Sequence, residues 1–331
     1  MSLEERYYRY YGYEDVFIIP EYSNVLTRSE VSTDVVLGSK ERSFTLKIPI
    51  ISANMDTISE SRMINILNEK GASGALHRFL SIEDNVKEFK KILNPNLSFV
   101  SIGTNSDYKD RAKALFDAGA LNYIVDIAHG HSLMMKNTVD WLRKEFKNKI
   151  MIMAGNVTTR EAVIDLEYWN VDAIKVGIGP GSVCLTKDVT GVTMPIFSAV
   201  QKCANASKVP IIADGGCKSY GDVAKAIGAG ATAVMSGYFF AGTDEIPDKA
   251  WQINGGSEVP VYRGMASSDA MKTIRKENLP TPEGKSITVE RKGSAGNVIE
   301  QIAGGLRSSY SYVGATNTRE FQSKVNFGLK R

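Results

Sequence analysis

AIKVGIGPGSVCLTK, residues 173–187, changes character half-way along. Its first half, AIKVGIG, is a short, nearly continuous apolar run rich in β-branched residues, the pattern of a strand buried on both faces of a parallel sheet. Its second half places Cys184 after Gly177, Gly179, Gly181 and Pro180, between the hydroxyls of Ser182 and Thr186. A glycine-rich turn of this kind serves as a phosphate cradle, a nucleophile loop or a tight strand-to-helix connection, and the turn alone does not choose among them.

Seven further runs resemble AIKVGIG: IPIISANM from 48, GASGALH from 71, LSFVSIG from 97, NYIVDIA from 122, IMIMAGN from 150, PIIADGG from 210 and AVMSG from 233. They recur every 23 to 37 residues or so, and the segments between them, such as RMINILNEK, YKDRAKALFDAG and YGDVAKAIGAG, carry the i, i+3, i+4 apolar spacing of helices. Eight strand-then-helix units spell a single α/β (β/α)8 TIM barrel over residues 1–331. A doubly wound open sheet would want GxGxxG after the first strand, and none is present. Four of the strands run into polar or glycine-rich residues at Asn54 to Asp56, Asp126 to His131, Gly177 to Gly181 and Asp214 to Gly216. In such a barrel these C-terminal strand ends converge on the active face. Residues of about 180–195 form a connection longer than the usual βα loop, and about 241–296 is polar and rich in glycine and proline. Both are candidate mobile segments over that face, a cysteine loop and a C-terminal flap.

Composition excludes several classes. Hydrophobic residues make up 43% of the 331 and charged residues 23%, ordinary usage for a folded soluble protein. The net charge of +3 comes from 40 basic and 37 acidic residues scattered along the chain, without a basic block, so nucleic acid is not an expected partner. No apolar run is long enough to span a membrane, and the acidic, basic and aromatic stretch MSLEERYYRYYGYEDV does not read as a signal peptide, so neither is expected. Three cysteines, Cys184, Cys203 and Cys217, form no CxxC pair, which fits a reducing compartment, and the expected location is cytoplasmic. His77, His129 and His131 lack carboxylate or cysteine companions at the spacing of a transition-metal site.

Several segments together, in fixed order, carry a family resemblance. VGIGPGSVCLTK, with AGNVTT before it and ADGGCKSYGDVAKAIGAGA after it, is similar to the inosine monophosphate dehydrogenase and guanosine monophosphate reductase family. The likeness runs from YEDVFIIPEYSNVLTRSEV through ISANMDT, ALHR, DIAHGHS and VYRGMASSDAM to GGLRSSYSYVGA. Within that family the chain more closely resembles the reductases. It leaves no room for the dehydrogenases' inserted regulatory domain, it lacks their water-activating Arg-Tyr pair between Gly264 and Gly296, and PTPEGKSITVERKGS is similar to the reductases' EGK segment.

The resemblance implies NADPH-dependent reductive deamination of guanosine monophosphate to inosine monophosphate and ammonia through a covalent cysteine thioimidate. Cys184 matches the nucleophile, whose thiolate is the attacking form; standing alone it would read as a small buried residue in a tight turn. Thr186 and Glu283 match the pair that hands a proton to the leaving ammonia. Asp214 would accept from the ribose hydroxyls, and Gly215, Gly216 and Gly237 would offer backbone N–H groups to the phosphate, with Ser182, Tyr238 and Tyr262 beside it. Met265, Ala266, Ser267 and Gly284 would meet the base. Arg78, Asp126, Ile127 and Ala128 match cofactor-contacting positions, while Thr27, Arg28, Ser308, Ser309, Tyr310 and Ser311 match a site that the family completes from a neighbouring subunit of a homotetramer. Carbonyls of Gly179, Gly181 and Cys184 match the ligands of a monovalent cation, commonly K+.

Some positions depart from the reductase pattern. Leu185 and Lys187 replace Thr and Arg, Tyr238 stands where glycine or serine usually helps to hold the phosphate, and Pro280 and Pro282 stiffen the approach to Glu283. Such changes could tune the substrate towards a deoxynucleotide or another purine monophosphate. The alternatives are a dehydrogenase lacking regulatory modules and a catalytically idle purine-nucleotide binder.

Overall fold

The computed structural model describes residues 9–272 and 281–330. Pro280 and part of the expected flap lie outside the described residues. Eight parallel strands form the centre: β1 Ile50–Ser52, β2 Ser73–Leu76, β3 Phe99–Ile102, β4 Asn122–Asp126, β5 Met151–Val157, β6 Ala173–Val176, β7 Ile211–Asp214 and β8 Ala233–Ser236. The sheet closes on itself where β8 pairs with β1, with Val234 opposite Ile50. Each of the eight runs read from the sequence supplies one barrel strand.

Helices α1 Ser61–Glu69, α2 Ile82–Phe89, α3 Tyr108–Asp117, α4 Leu133–Phe146, α5 Arg160–Tyr168, α6 Ile196–Ala206, α7 Tyr220–Gly228 and α8 Ala295–Tyr312 surround the barrel. Several start on a hydroxyl that takes up an otherwise unsatisfied N–H: Ser81 accepts from Asp84, Thr159 from Ala162 and Ser219 from Asp222. Among the described residues no helix is long and apolar enough to cross a membrane.

Alternation along the strands divides the core in two. On β6, Ala173 joins an inner cluster with Ile51, Phe99, Ile124, Met153, Ile212 and Met235, whereas Ile174 and Val176 pack outward against the helices. Period two therefore turns the β6 lysine, Lys175, towards the barrel axis at the C-terminal end. An antiparallel hairpin of Val35–Gly38 and Ser43–Leu46, not foreseen from the sequence, plugs the opposite mouth. Its Leu37 and Leu46 are fully buried in the inner cluster and the Phe44 ring lies 5.6 Å from Phe99. Arg42 in the hairpin turn donates to Asn122 at the start of β4 over 3.1 Å, fixing the plug to the barrel.

The expected flap region has more regular structure than its composition suggests. Trp251–Asn254, Ser257–Arg263 and Ser286–Thr288 form a three-stranded antiparallel sheet with the long strand in the middle. In the cysteine loop, one helical turn, Thr186–Thr190, ends at Gly191 in the left-handed conformation. Nothing among the described residues interrupts the run from β1 to β8 with a separate domain.

If the hairpin is a true part of the barrel core, Leu37→Ala should cost about 2–5 kcal/mol of unfolding free energy, read as a lower denaturant midpoint. An unchanged midpoint would show that the hairpin only lies against the mouth.

Candidate active site

Past the end of β6 the chain turns at Gly177, and Cys184 donates its N–H to the Gly181 carbonyl over 3.1 Å, closing a turn around Ser182. The loop then pairs with residues 283–285 of the insertion at about 241–296, just before its last strand. Leu185 N–H donates to the Glu283 carbonyl at 2.7 Å, and Lys285 N–H to the Val183 carbonyl at 3.0 Å. Gly264 N–H donates in turn to the Lys285 carbonyl at 3.0 Å, tying in the segment that carries Met265 and Ala266. Glycine is required at this junction by proximity. A Cβ on Gly284 would lie 2.8 Å from the Ser267 nitrogen, and one on Gly264 would lie 2.8 Å from the Val183 carbonyl oxygen.

This pairing brings three side chains into line. The Cys184 thiol donates to the Thr186 hydroxyl at 3.2 Å, and that hydroxyl donates to Glu283 Oε2 at 2.9 Å. Cys184 is half-buried and lines a cavity of about 270 Å³ at the C-terminal mouth of the barrel. Cys203 and Cys217 are buried, and burial pushes both thiols up, Cys203 to about 12. Of the three, Cys184 alone is placed to react.

The floor of the cavity is charged. Lys175, 3% exposed, reaches Asp126 Oδ1 at 2.8 Å and Asp214 Oδ2 at 2.5 Å. Asn54 donates to the other Asp126 oxygen at 3.0 Å, and Asn156 donates to Asp214 Oδ2 at 2.8 Å and to the Gly177 carbonyl at 2.6 Å. Burial alone would lower the lysine and raise Asp126. Their mutual attraction and hydrogen bonds reverse both tendencies, so the ammonium is held above its ordinary value and the carboxyl below its own.

Around this floor stand most of the expected substrate residues. Asp214, Gly215, Gly237, Tyr262, Met265, Ala266, Thr186 and Glu283 all line the cavity. Gly216 and Gly237 keep N–H groups with no protein acceptor among the described residues, and the Tyr262 hydroxyl lies 2.8 Å from where a Gly237 Cβ would sit. Together they make an anion-suited corner. Two expectations are corrected here. The Gly215 N–H is not free, because it donates to the Met235 carbonyl at 3.1 Å, so this glycine, at φ +82°, serves the turn. Tyr238 is absent from the cavity lining: Lys292 sits 4.9 Å over the ring centre and donates to the Tyr238 carbonyl at 2.6 Å. Ser182 and Gly216 are half-buried, Ser267 and Gly284 are buried, and all four lie outside the cavity lining. The Ser267 hydroxyl accepts from the Ala270 N–H.

The expected cofactor residues fall into two groups. Arg78, Asp126, Ile127 and Ala128 line the cavity next to Cys184. Thr27, Arg28, Ser308, Ser309 and Ser311 lie at the other end of the barrel. α8 begins beside the insertion, where Asp244 N–H meets the Gly293 carbonyl, and at 1.5 Å per residue it carries the serines about 20 Å away. The Arg28–Glu30 turn packs against α8. Tyr310 is corrected outright: its ring is fully buried, stacked on Phe321 at 4.2 Å, and its hydroxyl donates to Thr318, so its side chain cannot face a cofactor.

Comparison with known proteins completes the picture. A protein-family model described as "IMP dehydrogenase / GMP reductase domain" matches residues 10–330. The chain belongs to the IMP dehydrogenase / GMP reductase family. The GMP reductase of Yersinia enterocolitica is 38% identical over 333 residues, 96% of this chain and 93% of that protein. The inosine-5'-monophosphate dehydrogenase of Cryptosporidium parvum is 36% identical over 373 residues, 95% of this chain and 90% of that one. The GMP reductase of Trypanosoma brucei, solved in complex with guanosine 5'-monophosphate, superposes on 100% of this chain and 97% of its own with a TM-score of 0.91 at 27% identity.

Sequence reading of this IMP dehydrogenase / GMP reductase chain missed the residues that hold the site from behind. Lys175 was visible as the single charge in a continuously apolar strand, and that was the available signal. Asp56 is fully buried and pairs with Arg263 at 2.5 Å, joining the end of β1 to the strand before Met265. His77, also fully buried, accepts from the Phe79 N–H at Nδ1, which leaves Nε2 to donate to Glu60 at 3.1 Å. Lys249 from the insertion reaches the same Glu60 oxygen at 2.7 Å. Burial alone would raise Glu60, but the His77 and Lys249 hydrogen bonds override it and hold the carboxyl down to about 2.

A carboxyl depressed on folding contributes stability above its ordinary value, and that stability is lost as pH falls towards the folded value. The stability gap between wild type and Glu60→Gln should therefore be widest at neutral pH and close between about pH 4.5 and 2. A gap that stays constant across that window, in urea titrations, would contradict the assignment.

Proposed function

We propose that the protein is a guanosine monophosphate reductase that converts its substrate to inosine monophosphate and ammonia, with NADPH as reductant. Membership of the family makes an oxidoreductase of purine nucleotides the starting point. The observation that carries the finer reading is the unbroken line from the Cys184 thiol through Thr186 to Glu283.

Direct displacement of the 2-amino group would expel a poor leaving group from a stabilised ring, and covalent catalysis divides the task. Glu283 takes the thiol proton through the Thr186 hydroxyl, and the Cys184 thiolate adds to purine C2. The same relay, run backwards, returns that proton to the amine, so the C–N bond breaks with ammonia leaving and a thioimidate remains on Cys184. Hydride addition at C2 then releases the sulfur as thiolate, which recovers its proton from solvent. NADPH, when bound, supplies that hydride. Arg78, Asp126, Ile127 and Ala128 would hold the cofactor, a set that combines a cation, a carboxylate and apolar surface at the cavity wall. A monovalent cation such as K+ suits the cysteine loop. The Gly179 and Cys184 carbonyls accept no hydrogen bond among the described residues, and Gly181 accepts one, leaving oxygen donors for a hard ion.

A dehydrogenase must instead hydrolyse the intermediate. The segment from Gly264 to Gly296 holds no Arg-Tyr pair to activate water, and the carboxylate beside the thiol is already engaged with Thr186. Thr27, Arg28, Ser308, Ser309 and Ser311 would serve a cofactor bound to a neighbouring copy in a homotetramer. Tyr22, Leu26 and Tyr312, exposed near them, favour such a contact.

The assay is loss of NADPH absorbance with matched ammonia release from guanosine monophosphate. Cys184→Ala should abolish turnover while nucleotide affinity stays within about threefold, and Thr186→Val should lower kcat by about 10²–10⁴. Turnover only of inosine monophosphate with NAD+ would overturn the reductase reading, and substantial turnover by Cys184→Ala would overturn the covalent route.

A further inference from the structure

We propose that Lys175 is a positioning residue that links the ribose-side carboxylate Asp214 to the cofactor-side carboxylate Asp126, so that occupancy of one subsite tightens the other. The assignment of a ligand to each carboxylate rests on the reductase reading above.

A lysine ammonium has three hydrogens to place, and Lys175, at 3% exposure, turns to protein acceptors for them. One goes to Asp126 Oδ1 and another to Asp214 Oδ2. The remaining contacts fix the geometry unevenly. Asp126 has both oxygens engaged, by Lys175 and Asn54. Asp214 has its two partners, Lys175 and Asn156, on the same oxygen. Oδ1 of Asp214 thus has no donor among the described residues and is left for the ribose hydroxyls. Two carboxylates that share one buried cation compete for it, because a single ammonium charge, itself 3% exposed, is divided between them. When ribose hydroxyls donate to Asp214, part of its charge is met from the cavity side and its hold on Lys175 weakens. The ammonium then moves its weight to Asp126, which is held more firmly in the orientation offered to the cofactor. By linkage, a cofactor that engages Asp126 must tighten the nucleotide by the same factor.

The test is titration calorimetry of guanosine monophosphate into the full-length protein, with and without saturating NADP+. In the wild type the oxidised cofactor should tighten nucleotide binding by about fivefold or more. Lys175→Met should weaken cofactor-free nucleotide binding by about tenfold and bring the ratio of the two Kd values close to one. Lys175→Arg, which keeps the charge, should retain most of the ratio, a rescue that a purely structural role would not predict. Should Lys175→Met fail to fold, Asp126→Asn still decides the matter. In that variant Lys175 has Asp214 alone as a charged partner, so the ratio of the two Kd values, taken at an NADP+ concentration shown to saturate it, should fall to near one. A wild-type ratio near one, or an unchanged ratio in folded Lys175→Met or in Asp126→Asn, would overturn the linkage. If the wild type turns over only inosine monophosphate with NAD+, the reductase reading fails, and the same titrations with that pair still decide the linkage.

Discussion

Two backbone hydrogen bonds join the cysteine loop to the insertion just before its last strand, Leu185 to Glu283 and Lys285 to Val183, and the meeting of Thr186 with Glu283 depends on them. Thr186 and Glu283 are 97 residues apart in the chain, yet their side chains meet at 2.9 Å because the main chains are paired beside them. A proton relay tolerates little slack, since a displacement of about 1 Å can cost about 100-fold in rate. The glycines at 264 and 284 follow from the same constraint, because a Cβ at either would press on backbone atoms 2.8 Å away. The three-stranded insertion is thus the support that holds Glu283 against Thr186 and Cys184.

Beneath that contact the barrel carries buried charges that do not serve stability efficiently. Replacing a buried ion pair by well-packed apolar groups is often neutral or favourable, and the inner cluster is otherwise made of Ile, Leu, Val, Met, Phe and Ala. Lys175, Asp126 and Asp214 persist at the top of this apolar column, at the floor of the cavity. Asp56 with Arg263, and Glu60 with His77 and Lys249, play a different part: each ties a strand end to the insertion. The charges therefore separate into the floor of the cavity and two clamps that hold the insertion.

The barrel was legible because its strands are short apolar runs at regular intervals, a pattern that survives without knowledge of partners. Seven of the eight helices were legible as well. The eighth, Ala295–Tyr312, was hidden by Gly304 and Gly305, which lower helix propensity. Gly305 is explained only by packing, since a Cβ there would come within 3.1 Å of Tyr220 on α7. The hairpin plug was hidden for a related reason: Leu37 and Leu46 acquire their meaning from Phe99 and the other inner residues across the barrel. At the site, Cys184, Thr186, Glu283 and Asp214 could be named from motifs. The Gly215 N–H and the Tyr238 ring could not be placed that way, because hydrogen bonding by Met235 and stacking by Lys292 decide them. The position of Thr27, Arg28 and the serines of α8 depends on helix length and direction, which no motif encodes.

The proposed reductase route requires that Cys184 become covalently attached to purine C2. Acid quenching during turnover of guanosine monophosphate labelled in the purine ring, followed by proteolysis and mass spectrometry, tests it directly. The account predicts label on the peptide containing Cys184 and none on those containing Cys203 or Cys217. Efficient turnover with no label on any peptide at any quench time, or label on either of the buried cysteines, would contradict it.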